Sequence, residues 1–273
     1  MGQLWPAGQW KADLEMSTLF NTLPSDRVRR LEQAGVNSWP ALSTVLDGPW
    51  VIRLADGVTK RANSINTLGA EDDSPADLRQ RLDRACSTFR RQGLPPVFRA
   101  TPLTDTATLA ELGRRGWTER DPSLLMLGPL TTPETPAEPD LLSDHPTAEW
   151  LATFARIDGL PPQDRCTLKS MVRRLALPCA YACAAHNGQP ASVAMAVVDG
   201  PLMGLFCVGT VPEARRQGLS QRVLSALRHW GLEQGASQLW LHVSATNTGA
   251  QTLYRGLGMI PAYGYTYFVA PAA

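Results

Sequence analysis

Thr210-Val211-Pro212-Glu213-Ala214-Arg215-Arg216-Gln217-Gly218-Leu219-Ser220 is a polar, glycine-bearing turn set between two segments of different period. Upstream, Leu202, Met203, Leu205, Phe206, Cys207 and Val208 form an apolar run that reads as a strand. Downstream, Val223, Leu224, Leu227 and Trp230 recur at helical spacing, with Gly231 and Gly235 as stop signals. A strand–turn–helix joint leaves N–H groups at the helix start without intrahelical partners. With the positive end of the helix dipole, they make an anion site suited to phosphate. Gly218 has no Cβ, so a diphosphate can come close to the backbone, and Arg215 and Arg216 add charge at the rim.

Beyond the helix, Leu239, Leu241 and Val243 alternate with Trp240, His242 and Ser244, the pattern of a half-buried strand. Asn247-Thr248-Gly249-Ala250 opens another helix, with Ala250, Leu253, Tyr254 and Leu257 inward and Gly256 and Gly258 at its end, and Tyr263 to Val269 reads as an aromatic last strand. Upstream of the turn, Ala180–Ala185, Ala191–Val198 and Leu202–Val211 are three consecutive strand candidates. They are joined by the hairpin signals Asn187-Gly188 and Asp199-Gly200. Before them, Thr147 precedes a helix carrying Trp150, Leu151, Phe154 and Ile157, and a second, mixed apolar and basic helix spans about 165–175.

Two of these stretches carry a resemblance. Arg215-x-x-Gly218-x-Ser220, preceded by Val211-Pro212, resembles the acetyl-CoA pyrophosphate loop of the GNAT superfamily (GCN5-related N-acetyltransferases). Ser220 stands where the family has Gly or Ala, a small residue that suits a helix start. Asn247-x-x-Ala250-x-x-x-Tyr254-x-x-Leu257-Gly258-Met259, about thirty residues further on, resembles the family's second motif. The resemblance implies acetyl-CoA as cosubstrate. Val208, Gly209 and Thr210 would line the strand edge that takes the pantetheine arm, Asn247 would face them, and Arg215, Arg216, Gln217, Gly218, Leu219 and Ser220 would hold the diphosphate. It implies Tyr254 as general acid toward the departing thiolate, the alternative being a Tyr that packs its ring at the helix–strand corner. The fold expected is α/β of the α+β type, two GNAT-like units that each have a mixed, mostly antiparallel sheet flanked by helices.

The first unit is read from residues 25–128. Ser25 or Asp26 caps a helix with Val28, Leu31 and Ala34, closed by Gly35. Trp50–Leu54 and Thr59–Ile65 are strand candidates about Asp56-Gly57. Pro75 opens a helix with Leu78, Leu82, Ala85, Cys86 and Phe89 on one face, ended by Gly93. A strand at Val97–Arg99, a short helix with Leu109 and Leu112 closed by Gly116-Trp117, and a strand at Leu124–Leu127 follow. Trp39-Pro40-Ala41-Leu42, Asp47-Gly48-Pro49-Trp50 and Arg61–Asn66 resemble the N-terminal half of two-halved bacterial GNAT proteins. The junction Gly69-Ala-Glu-Asp-Asp-Ser-Pro75 is acidic and would repel a diphosphate, so this half reads as a degenerate copy without cofactor. Residues 129–139, rich in proline, read as a linker and 140–273 as the catalytic domain. Residues 1–24 look peripheral, and Met16-Ser17 offers a second start, which would make the first fifteen residues a leader.

Composition narrows the rest. The 273 residues, 44% hydrophobic, supply core for two ordinary domains or one large one. A formal net charge of +1 gives no argument for nucleic acid or an anionic membrane as partner. No apolar run of about 18 residues and no basic-then-apolar leader occur, so the expectation is cytoplasmic. The five cysteines are odd in number and without zinc-ligand spacing, so they read as buried reduced thiols, with no metal site. No general base is legible. His242 lies on the strand beside the expected cleft, Glu213 reads as solvated, and His145, His186 and His229 have weaker claims. The leading reading is an acetyl-CoA-dependent N-acetyltransferase acting on a small-molecule or peptide amine, with a homodimer left open. The alternatives are a non-catalytic acyl-CoA-binding regulatory module and a nucleotide-binding α/β protein, which lacks Gly-x-Gly-x-x-Gly after an early strand.

Overall fold

The computed structural model describes residues 23–69 and 74–272. The expectations for a leader before Met16 and for residues 70–73 of the acidic junction fall outside them. In the first half, α1 (Ser25–Ser38), β1 (Ser43–Asp47), β2 (Trp50–Leu54), β3 (Ile65–Thr67), α2 (Pro75–Arg91), β4 (Val97–Ala100), α3 (Thr106–Arg114) and β5 (Thr118–Pro129) follow in order. The second half continues with β6 (Leu142–Ser143), α4 (Ala148–Asp158), α5 (Pro162–Val172), β7 (Cys179–His186), β8 (Gln189–Asp199) and β9 (Leu202–Thr210). It ends with α6 (Leu219–Glu233), β10 (Gln238–Ser244), α7 (Thr248–Arg255) and β11 (Ile260–Val269).

The strands join one sheet in the order β1-β2-β3-β4-β11-β5-β10-β9-β8-β7-β6. Among the described residues only β3–β4 and β9–β10 pair in parallel. Apart from the edge strand β6, the order is the same when read from either side. β1-β2-β3-β4 corresponds to β7-β8-β9-β10, and each set is followed by the last strand of the other half and then by its own. Thus β5 fills the gap between β10 and β11, from Gln238↔Pro129 to Ser244↔Ser123, while β11 fills the gap between β4 and β5. The expected fold class, two units of mixed, mostly antiparallel sheet flanked by helices, describes this architecture.

Among the described residues, three large buried clusters occupy the faces, with a fourth, small one of Val97, Tyr265 and Tyr267. On one face of the second half, α6 contributes Leu219, Val223, Leu224 and Leu227, and α7 contributes Tyr254, against Leu205, Leu239, Leu241 and Val243 of the sheet. The opposite face is shared between the halves. Val28, Leu31 and Ala34 of α1 join Trp150, Leu168 and Met171 of α4 and α5 over Val193, Met195, Phe206 and Trp240. In the first half, Leu78, Leu82, Ala85, Cys86 and Phe89 of α2 cover Trp50, Ile52, Ile65 and Phe98.

Several local expectations change. Gly35 does not close α1. It is buried inside the helix, and a Cβ there would meet His242 Nε2 at 3.6 Å and Trp240 at 3.8 Å, so the glycine lets helix and sheet come close. Neither Ser25 nor Asp26 caps α1, whose N-cap position is Pro24. Residues 60–62 form a 3-10 turn rather than strand, and the first hairpin turns earlier, at Gly48-Pro49, between β1 and β2. The strand β1 has no inward apolar alternation, four of its five residues being exposed, which hid it. β10 is not half-buried. Trp240 is as inaccessible as Leu239, because α1 covers the face that the alternation left to solvent. Leu109 is exposed, and Cys166 is an exposed thiol rather than a buried one.

Candidate active site

The parallel pair β9–β10 is in register from Gln238↔Leu202 to Leu241↔Leu205, and no further. β10 runs on to Ser244 along β5, and β9 runs on to Thr210 along β8, so the two strands part after Leu205 and Leu241. A bulge marks the parting. Met195 pairs with Phe206 and Val193 with Gly209, leaving Ala194 alone opposite Cys207 and Val208. Cys207 takes φ +53, a conformation L residues rarely adopt. The Trp150 indole donates a hydrogen bond to the Ala194 carbonyl at 3.0 Å, so α4 pins the bulge. The end of α4 also lies against Gly209, where a Cβ would sit 2.5 Å from Ile157 Cγ2.

Past Thr210 the chain makes a 3-10 turn, Pro212–Ala214, and enters α6 through Gly218 at φ +74. Arg216, at φ +64, and Gly218 turn the loop so that its main chain faces outward. Among the described residues, no acceptor meets the N–H groups of 216–221, and α6 has no side-chain N-cap. A Cβ at Gly218 would meet nothing nearer than Gln221 Oε1 at 3.9 Å, so the approach to these amides is open. Arg215 and Arg216 are exposed at the rim, with Arg215 Nε donating to the Thr210 carbonyl at 3.3 Å. Glu213 is not free, since Arg156 donates to it at 2.9 Å. Leu219 contributes only its amide to the loop, its side chain being buried under α6. Ser220 does not point at the amide face. Its hydroxyl lies 2.8 Å from Thr210 Oγ1, which lies 2.9 Å from Ser192 Oγ, and Ser192 donates to the Gly209 carbonyl at 3.0 Å.

Across the gap, the Asn247 side chain caps α7 by accepting from the Ala250 N–H at 3.0 Å. Tyr254 lies on the inner face of α7, in the same buried cluster as Leu205 and Val243, where β9 and β10 separate. Burial pushes its phenol up to about 12, so the hydroxyl keeps its proton at any physiological pH. Val208–Thr210 and 215–220 thus lie on one strand–turn–helix joint, and Asn247 and Tyr254 on the strand–helix unit that follows it. His242 lies on the other side of the sheet, between Trp240 and Tyr265, with ring centroids 5.4 and 5.0 Å away. Burial first, then Arg61 and Arg99, hold its pKa well below the ordinary histidine value, so the ring is neutral.

On that second side lies a cluster of aromatic and charged side chains which sequence reasoning did not assemble. Trp39, which follows α1, stacks on Phe206 of β9 at 5.6 Å, and the Arg61 guanidinium lies 5.8 Å from the Trp39 ring centroid and 5.9 Å from that of Phe206. Arg99 of β4 is paired with Glu32 of α1, both buried, and Tyr263 of β11 donates to the same carboxylate at 2.6 Å. Arg53 donates to the carbonyls of Arg61 and Trp39. The one sequence signal was the clustering of Trp39 and Arg61–Asn66 in stretches already singled out by resemblance. Among the described residues no group of three His, Cys, Asp or Glu side chains could hold a metal, and no helix is long and apolar enough to cross a membrane.

A duplicated sheet whose parallel strands part beside an uncapped, glycine-entered helix defines an acetyl-CoA-dependent acetyltransferase of the GNAT superfamily, in tandem form. Within it, the chain belongs to the family described as "Probable histone acetyltransferase Rv0428c C-terminal", whose model matches residues 25–268. It is 24% identical over 249 residues to the "Uncharacterized N-acetyltransferase YobR" of Bacillus subtilis, covering 89% of this chain and 98% of that protein. A GCN5-related N-acetyltransferase from Kribbella flavida shares the fold with a TM-score of 0.65 at 19% identity, over 92% of this chain and 97% of that one. A tandem GNAT protein from the clavulanic acid biosynthesis pathway matches with a TM-score of 0.63 at 13% identity, over 97% and 95%.

Proposed function

We propose that residues 140–273 carry the active site and move an acetyl group from acetyl-CoA directly to a primary amine, with Tyr254 as general acid. The parting of β9 and β10 after Leu205 and Leu241 is the observation that carries this reading. An extended pantetheine arm can take up backbone groups that a neighbouring strand would otherwise use. The open N–H groups of 216–221 suit its diphosphate, and Gly218 leaves room for it. Asn247 and the edge Val208–Thr210 then flank the arm on either side.

In the reaction the amine nitrogen forms a bond to the thioester carbonyl carbon, the C–S bond breaks, and the thiolate takes a proton from Tyr254. A phenol and a thiol differ by about 1.5 pK units in water. The burial that raises Tyr254 raises a thiol buried beside it in the same direction, so the proton transfer is not made steeper. The proton lost by the amine leaves to water, and Tyr254 regains its own proton from water. His242, neutral and on the other face of the sheet, is not needed for that step.

Residues 25–128, joined by 129–139, serve in this reading as a brace and as one wall of the acceptor cleft. The matching helix start in that half supports the loss of cofactor binding. Ser74 accepts from the Asp77 N–H at 3.2 Å, and the Asp77 carboxylate takes the Ser74 hydroxyl at 2.6 Å, so an anion would meet a capped and acidic terminus. The test is thiol release from acetyl-CoA by the purified chain over a panel of amines, with calorimetry of coenzyme A binding. No heat with coenzyme A or its acyl ester would overturn the reading.

A further inference from the structure

The acetyltransfer reading leaves the acceptor open, and the aromatic and charged cluster on the second face of the sheet bears on it. The guanidinium of Arg53 lies near those of Arg61 and Arg99. Arg99 is neutralised by Glu32, and Arg53 is spent on the main-chain carbonyls of Trp39 and Arg61. Arg61 is different. Among the described residues no carboxylate lies within ion-pair distance of it, and its Nε is buried without an acceptor. Its guanidinium rests on Trp39 and Phe206, which fixes its direction at little entropic cost.

Arg61 also faces the place where an acceptor must arrive. The Phe206 ring it rests on immediately precedes the bulge of β9 at Cys207 and Val208, just past the last parallel pair with β10. Arg61, Cys207 and His242 are partly accessible, while Trp39, Phe206, Trp240, Tyr265 and Tyr267 around them are buried. An unpaired guanidinium thus stands beside the place where the strands part, and a partner that satisfies it carries an anionic group.

We infer that the acceptor is an amino carboxylate, an α-amino acid or a close relative, whose carboxylate is held by Arg61 from the N-terminal half. This inference rests on the acetyltransfer reading above and deepens it. It gives the first half a part in substrate selection, since a unit cut from the second half alone would have no Arg61.

The experiment uses the full chain and matched trios: phenylalanine, phenylalaninamide and phenethylamine, then alanine, alaninamide and ethylamine. Acetyl-CoA-dependent thiol release is measured for each, and coenzyme A binding is followed by calorimetry. The acids are expected to exceed their amides and decarboxylated amines by about ten- to hundredfold in kcat/KM, the effect of one charge-assisted hydrogen bond. Arg61→Ala should bring that ratio to about one by raising the KM of the acids alone, with Arg61→Lys restoring part of it and coenzyme A affinity unchanged in both. Arg53 bonds to the Arg61 main-chain carbonyl, which both variants keep. Amides turned over as well as acids, no turnover of any acid while coenzyme A binds, or an unaltered ratio in Arg61→Ala would each overturn the inference and leave the cofactor reading standing. Absence of coenzyme A binding would overturn both.

Discussion

Ser220 departs from the family's small apolar residue without disturbing the loop, because its hydroxyl turns inward to Thr210 and leaves the amide face clear. Ser220→Ala should therefore change the acetyl-CoA KM by less than about twofold and cost about 1 kcal/mol of stability, measured by urea unfolding. Gly218 is the opposite case. At φ +74 an L side chain is strained by about 1 kcal/mol, and a bulky one stands over the open N–H groups. Gly218→Leu should raise the acetyl-CoA KM at least about tenfold through the lost main-chain contacts, and an unchanged KM would remove the diphosphate from this loop. Tyr254→Phe keeps the ring in its buried cluster and removes the proton. Turnover should fall about a hundredfold with coenzyme A affinity intact, whereas full activity would make the tyrosine structural.

At the scale of elements, close approaches decide more than propensity does. Gly128 of β5 sits under the corner between α7 and β11, where a Cβ would meet the Gly258 carbonyl at 2.7 Å and Met259 Cα at 2.9 Å. Both contacts are backbone, so nothing flexible can yield. Gly128→Ala should cost about 1–3 kcal/mol and loosen the helix that carries Tyr254. A thermal melt and a kcat measurement on the same variant check both effects. The alternation of β10 was legible, yet its reading as half-buried failed, because α1, some 200 positions earlier in the chain, brings a second hydrophobic layer onto it. The parting of β9 from β10 had no sequence signal beyond the resemblance. Its causes are a bulge at Cys207 and Val208 and a tryptophan from α4 that takes the carbonyl opposite them.

Over the whole molecule, the exchange of β5 and β11 means that neither half has a complete sheet alone. Residues 140–273 produced without the rest should fail to give a soluble, cooperatively folding unit, since β10 and β11 would face each other across a missing strand. The buried pair Glu32–Arg99, held also by Tyr263, ties α1, β4 and β11 into one unit. Glu32→Gln leaves a buried guanidinium without its counter-charge and should destabilise the chain by about 3–5 kcal/mol in a single unfolding transition. Acid sensitivity has its own source. The hydrogen bond from Arg84, with the charges of Arg84 and Arg81, holds the Asp47 carboxyl below the ordinary aspartate value against the opposing effect of burial. A carboxylate whose folded pKa is depressed adds stability above its unfolded pKa and loses it as pH falls through the folded one. Urea midpoints should therefore decline from about pH 5 toward pH 3, and Asp47→Asn should flatten that decline by about 0.2–1 kcal/mol.

The sequence by itself determined the local joints. The glycine-entered helix at 218, the Asn187-Gly188 and Asp199-Gly200 hairpins, the period of α2 and α6 and the position of Tyr254 on its helix were all legible, because turns, caps and amphipathic faces act over a few residues. Only the tertiary structure decided which strand lies between β10 and β11, that His242 looks away from Tyr254, and that Trp39 and Arg61 of one half meet Phe206 and Cys207 of the other. Those outcomes depend on edges and faces that must be closed by some distant segment, and no short-range pattern records which segment closes them.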